Sequence, residues 1–211
     1  MAKLLTEFVG TFFLVLTVCL AGGAPFGALA IGMALAVMVY MGGPISGAHY
    51  NPAVTVAVWM RGKCPVADLV PYIVVQILGA IAAAALAYAI VGKSVGVEKG
   101  PNVSDLSALL VEFVFTFALA LVVLNVATTK AAAGNSYFGL AIGMTVFMGA
   151  VAGGGISGGA YNPAVGIGPN LVHMSVGHGS INHIWLYIVG PIAGGALAAL
   201  VFRMQHETPL D

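Results

Sequence analysis

Residues Leu29–Val54 and Leu140–Val165 carry nearly the same sequence, and this repeat limits the possible folds more than any other feature of the chain. The first reads LAIGMALAVMVYMGGPISGAHYNPAV and the second LAIGMTVFMGAVAGGGISGGAYNPAV. They align without a gap over 26 positions at an offset of 111. The likeness continues on both sides. Glu7-Phe8-Val9 with Thr11-Phe12 matches Glu112-Phe113-Val114 with Thr116-Phe117, and Tyr72 with Gly79-Ala80 resembles Tyr187 with Gly194-Gly195. A sequence doubled in this way encodes one structural unit twice.

Composition says where the unit sits. Of 211 residues, 60% are apolar and 7% charged, against about 25% charged in a soluble domain. Most of the exterior must therefore face lipid. A helical span takes about 20 apolar residues, and six are predicted, over 4–21, 27–43, 68–91, 107–127, 137–153 and 183–203. Lys3 before the first apolar run imitates a secretory leader, but that run has a counterpart in the second half and belongs to the fold. Three spans per half is an odd number, so the second half enters the membrane from the opposite side and the repeats are inverted. The expected fold is an all-α membrane protein of six transmembrane helices, one domain with halves of about 1–100 and 101–211. Lys3, Arg61, Lys63, Lys130 and Arg203 would lie on the cytoplasmic side and Lys93 and Lys99 outside, which sets both termini in the cytoplasm. The plasma membrane is the default location.

Each half also holds an apolar stretch too short to cross: NPAVTVAVWM from Asn51 and NPAVGIGPNLVHM from Asn162. Asn is a good helix N-cap and Pro fits the first turn. Asn51-Pro52-Ala53 and Asn162-Pro163-Ala164 therefore read as starts of re-entrant half-helices. The glycines before them (Gly42, Gly43, Gly47, then Gly153, Gly154, Gly155, Gly158, Gly159) let irregular backbone pack closely. Such backbone is tolerated at membrane depth where protein covers it or it lines a wet cavity. Two half-helices from opposite faces bring two Asn amides and two positive dipole ends to the midplane. The carbonyls of Gly47, Ala48 and His49, and of Gly158, Gly159 and Ala160, form a candidate ladder of acceptors for a neutral solute. A cation meets dipole ends and a large desolvation cost.

Glu7 and Glu112 fall inside spans at matching places. A carboxyl there needs a partner. Their twofold placement favours holding backbone N–H groups of the half-helix loops over a proton relay. His49, two residues before Asn51, is placed beside the pore. His173, His178 and His183 fall in a Gly/Ser-rich outer loop, read as solvated rather than as a metal site. Cys19 and Cys64 show no metal or disulfide spacing. Gly139 with Gly143, and Gly190 with Gly194, have the spacing of close helix contacts. There is no basic run for nucleic acid, no cofactor loop and no nucleophile–base pair of an enzyme. The rival class is a secondary transporter with inverted repeats, which would use Glu7 and Glu112 for coupling.

The segments SGAHYNPAV and SGGAYNPAV, the paired glutamates and the inverted six-span order resemble the aquaporin and aquaglyceroporin family, the major intrinsic proteins. The resemblance implies a right-handed bundle of six helices and two half-helices. It also implies a homotetramer with one pore per subunit, surrounded by membrane lipid and passing water and small neutral solutes. It assigns Asn51 and Asn162 to the central constriction. The family's outer constriction has four positions, which fall on Ile31, Ala150, Gly159 and Val165. Members commonly have Arg directly after the second NPA, and this chain has Val165. Water-selective members pair that Arg with an aromatic residue and a His, and this chain has Ile31 and Ala150. Losing Arg removes a fixed charge and up to five donors. The expected filter is wide and apolar, open to solutes such as ammonia, glycerol, urea or undissociated metalloid acids, unless a side chain from the His-containing loop fills the gap.

Overall fold

The structure, a computed structural model, describes residues 1–206. Its long helices are α1 (Ala2–Ala21), α2 (Gly27–Ser46), α4 (Val66–Val91), α5 (Asp105–Thr128), α6 (Phe138–Ser157) and α8 (Ile184–Gln205). All six are long and apolar enough to cross a membrane. Two short helices lie between them, α3 (Pro52–Met60) and α7 (Pro163–Ser175). No strand is present among the described residues. The chain is an all-helical, multi-pass membrane protein.

Each short helix starts as its sequence dictates. Asn51 is extended, its side chain accepts from the Ala53 N–H, and Pro52 opens the helix. Asn162, Ala164 and Pro163 repeat the pattern. The proline lacks an N–H where the first turn has no acceptor for one.

Helices cross where glycine removes the side chain. In the first half α1 meets α4, and a Cβ on Gly79 would stand 2.6 Å from the Phe8 carbonyl oxygen. In the second half α5 meets α8, and Gly194 abuts the Phe113 carbonyl in the same way. The halves meet along α2 and α6. There Gly32 and Gly143, equivalent positions of the repeat, lie against each other's carbonyl oxygens. Gly139 packs on Ala36 and Tyr40 of α2, and Gly190 on Glu112 and Leu109 of α5. The glycine spacing in the sequence thus marks contact faces.

The structure corrects the reading of the glycine-rich approaches. Helix α2 runs on to Ser46 and α6 to Ser157, so Gly42, Gly43, Gly153, Gly154 and Gly155 are helical. Only Gly47, Gly158 and Gly159 of that set have positive φ, with Ala48, Tyr50 and Tyr161 beside them. Gly42 and Gly153 serve another need. Each leaves room for a tyrosine hydroxyl, that of Tyr50 and that of Tyr161. Both tyrosines are almost completely buried, and their hydroxyls donate to the Met38 and Gly149 carbonyls, at 3.0 and 2.8 Å.

Gly143→Val would drive a branched side chain into the α2 backbone, and overpacking of this kind costs roughly 1–3 kcal/mol or more. A thermal unfolding scan in detergent should show a clearly lowered midpoint. Gly154→Ala, where the added Cβ meets nothing within 4 Å, should leave the midpoint level or raise it.

Candidate functional site

The ends of α3 and α7 meet head to head through their capping residues. Asn51 Nδ2 donates to the Tyr161 carbonyl and Asn162 Nδ2 to the Tyr50 carbonyl, each at 2.9 Å. Each amide oxygen is occupied by its own helix. A primary amide has two N–H groups, so each Asn retains one donor beyond the clasp. Asn51 and Asn162 both border a cavity of about 390 Å³. Two helix N-termini, each with a partial positive charge of about half a unit, point at this place.

The backbone before each Asn is tied down by a buried carboxylate. Glu7 Oε1 accepts from Ser46 Oγ at 2.6 Å and the His49 N–H at 3.0 Å, and Oε2 accepts from the Tyr50 N–H at 2.7 Å. Glu112 receives Ser157 Oγ, the Ala160 N–H and the Tyr161 N–H at 2.7, 3.0 and 2.6 Å. Both glutamates are fully buried. Tyr72 and Tyr187 donate to the Ser46 and Ser157 carbonyls at the ends of α2 and α6.

The halves differ in one respect that the repeat hides. Gln76 Nε2 donates to Glu7 Oε2 at 2.8 Å and to Thr55 Oγ1 at 3.0 Å. Thr55 gives its own hydrogen to the Asn51 carbonyl. Its remaining lone pair faces His49 Nδ1 at 3.2 Å. In the second half the corresponding residues are Pro191, Gly166 and Ala160, and none of their side chains hydrogen-bonds. Gln76 and Thr55 were legible only as polar residues within apolar helices.

A second cavity, of about 560 Å³, adjoins the first, and Ala48, His49, Val123 and Ile142 border both. Asn51 and Asn162 lie on the wall of the first. Gly47 borders the second cavity, and Gly158, Gly159 and Ala160 the first. Ile31, Ala150, Gly159 and Val165, four positions far apart in sequence, all line the first cavity. The two mouths differ in charge. Among the described residues Glu98 is the one charged side chain bordering the first cavity, whereas Lys3, Lys63, Asp68 and Lys130 border the second.

The histidines of the outer loop do not border the first cavity. His173 ends α7, with Nδ1 2.8 Å from Ser94 Oγ and its ring stacked on His178. His183 precedes α8 and lies 3.7 Å from Asp105. None of the three borders the first cavity; Val95, Gly96, Val97 and Glu98 do. That segment carries no repeat partner and no motif, so sequence reading passed over it. Among the described residues no three His, Cys, Asp or Glu side chains gather as a metal site would require. Cys19 and Cys64 are free and buried.

The sequence model of the major intrinsic proteins matches residues 1–202. The chain belongs to the major intrinsic protein family. It is a membrane channel of that family. Nodulin-26 of Glycine max is 35% identical over 98% of this chain and 78% of its own length. Glycerol uptake facilitator protein-like 6 of Lactiplantibacillus plantarum is 39% identical over 97% of this chain and 98% of its own. The X-ray structure of the aquaglyceroporin from Plasmodium falciparum superposes with a TM-score of 0.86, covering 99% of this chain and 97% of that one. Its identity is 21%, so this match speaks for the fold.

Glu112→Leu would leave the buried N–H groups of Ala160 and Tyr161 without acceptors, at roughly 1–3 kcal/mol each. The variant should lose its monodisperse peak in gel filtration. Glu112→Gln retains one oxygen acceptor and should lose less of that peak.

Proposed function

We propose that this chain is a passive pore for water and small uncharged solutes, in which Asn51-Pro52-Ala53 and Asn162-Pro163-Ala164 form the central constriction. Ile31, Ala150, Gly159 and Val165 form the outer filter. The observation that carries this reading is the reciprocal clasp of Asn51 and Asn162 inside a cavity with no cationic side chain along its wall among the described residues. A solute at the clasp finds two amide donors, and the carbonyls of Gly47, Ala48, His49, Gly158, Gly159 and Ala160 offer acceptors. A neutral molecule replaces water by these groups one bond at a time. A small cation would lose hydration worth tens of kcal/mol in an apolar medium and face two positive helix ends.

Val165 sets what else passes. Arg at that place would bring a fixed charge and up to five donors. Val brings neither, and Ala150 and Gly159 add little bulk. The filter then admits neutral solutes larger or less hydrated than water, such as glycerol, urea or ammonia. The name of the 39% identical relative, a glycerol uptake facilitator protein-like protein, is in keeping with this. The chain acts as one channel domain of two halves, 1–100 and 101–211, and as a homotetramer with a pore in each subunit. The bias of Lys and Arg sets both termini in the cytoplasm, and the plasma membrane is the proposed location. Glu7 and Glu112 take no part in coupling, because protein donors already engage both carboxylates.

In proteoliposomes Val165→Arg should reduce glycerol and urea flux about tenfold, a barrier rise of about 1.4 kcal/mol, with a smaller loss of water flux. An equal loss of all three would count against a filter at Val165. Wild-type vesicles should also hold a pH gradient as long as empty vesicles do. Faster collapse would contradict exclusion of protons at the clasp.

A further inference from the structure

The wall of the second cavity is unlike that of the first. Lys3 at the start of α1, Lys63 between α3 and α4, and Lys130 after α5 all border it. They come from three separate stretches of chain and converge on one hollow of about 560 Å³, a size that suits a small-molecule ligand. Among the described residues one carboxylate, that of Asp68, stands on the same wall, and Lys3 Nζ holds it at 3.2 Å. Lys63 forms no ion pair among the described residues.

The hydroxyl and amide donors of this wall are already spent. Thr128 Oγ1 donates to the Leu124 carbonyl and Thr129 Oγ1 to the Asn125 carbonyl. Asn135 Nδ2 gives its hydrogens to the Val126 and Ala132 carbonyls. Tyr72 Oη donates to the Ser46 carbonyl, and Ser46 Oγ to Glu7. What the side chains still offer a ligand is ammonium N–H, three on each lysine. A ligand that stays there must bring negative charge, because charge-assisted bonds are about twice as strong as neutral ones. A phosphate monoester carries nearly two charges and three terminal oxygens near neutral pH. It can serve several ammonium groups at once, which a monocarboxylate cannot.

Position ties this charge to the rest of the interior. Ala48, His49, Val123 and Ile142 border both cavities, so an occupant of the second lies against residues that also wall the first. The same ligand would be repelled at the other mouth, where Glu98 is the one charged side chain bordering the first cavity among the described residues. Lysines also gather on the inner side of membrane proteins for orientation alone. Such lysines need only face the cytoplasm, whereas these three border one hollow.

We propose that the second cavity is a binding site for inorganic phosphate or a small phosphate monoester, held by Lys3, Lys63 and Lys130, and that its occupant obstructs the pore from that side. The obstruction rests on the pore reading given above; the binding does not. The pore would then pass neutral solutes and be closed by a dianion it cannot pass.

The test reads water permeability of phosphatidylcholine proteoliposomes with inorganic phosphate or glycerol phosphate on both sides, against potassium chloride of equal ionic strength. Calorimetry in detergent reads binding of the same two probes. Wild type should bind them and lose most of its water flux at saturation. Lys63→Gln and Lys130→Gln should each raise the half-inhibiting concentration about tenfold, the worth of one hydrogen bond to a charged group. Lys63→Arg, which keeps the charge, should stay near wild type, and Asp68→Asn, which removes the competing carboxylate, should lower the concentration needed. Each variant is scored as flux with probe over flux without, so the amount of folded protein does not enter. Vesicles with added phosphatidylglycerol separate the two sources of phosphate. Inhibition by that lipid with no response to the free probes would make this a headgroup site and overturn the proposal. Flux and calorimetry both unmoved by the probes would overturn it and leave the pore reading intact. Binding with no loss of flux would overturn the obstruction. A wild type with no flux above empty vesicles would overturn the pore reading, and calorimetry would then decide the site alone.

Discussion

Two hydrogen bonds, from Asn51 to the Tyr161 carbonyl and from Asn162 to the Tyr50 carbonyl, join the ends of two short helices that arise 111 residues apart. Around them the backbone is irregular and buried, a combination that membrane interiors punish unless every polar group has a partner. The remaining polar groups nearby are arranged to meet that demand. Each glutamate collects two backbone N–H groups and a serine hydroxyl. Each tyrosine before an Asn has positive φ and reaches back to a helix carbonyl twelve residues earlier. Glycine at 42 and 153 admits those tyrosines, and glycine at 32 and 143 lets the halves approach closely enough for the clasp to close.

Pairing by repeat makes the site nearly symmetrical, and function enters where symmetry breaks. Towards the second cavity the wall carries His49, fixed by Thr55 and Gln76. Towards the first, the equivalent place is Ala160, and the wall is apolar. Charge differs in the same sense, with Glu98 at one mouth and three lysines with Asp68 at the other.

Much of this was legible in the sequence because it is written twice. The repeat marks the order of the helices and the Asn-Pro starts of α3 and α7. Periodicity could not show where α2 and α6 end. Glycine runs read as irregular backbone, whereas α2 and α6 run through them to Ser46 and Ser157. Features with no repeat partner were missed. Asn170 looks like an ordinary polar residue in a half-helix, and Val97 like one apolar residue in a loop. Two hydrogen bonds join them across 73 positions, which no local pattern encodes. The cavity that holds Ile31, Ala150, Gly159 and Val165 is bordered by Val95, Gly96, Val97 and Glu98 and not by the three histidines, a contact equally invisible to local pattern.

An open pore past Asn51 and Asn162 with no coupled step would leave Glu7 and Glu112 as fixed supports. Urea uptake into proteoliposomes, measured over a wide concentration range with and without a pH gradient, tests this most directly. A pore predicts uptake that rises in proportion to concentration and ignores the gradient. Uptake that saturates and is driven uphill by the gradient would contradict it, and would return the two buried carboxylates to the centre of the mechanism.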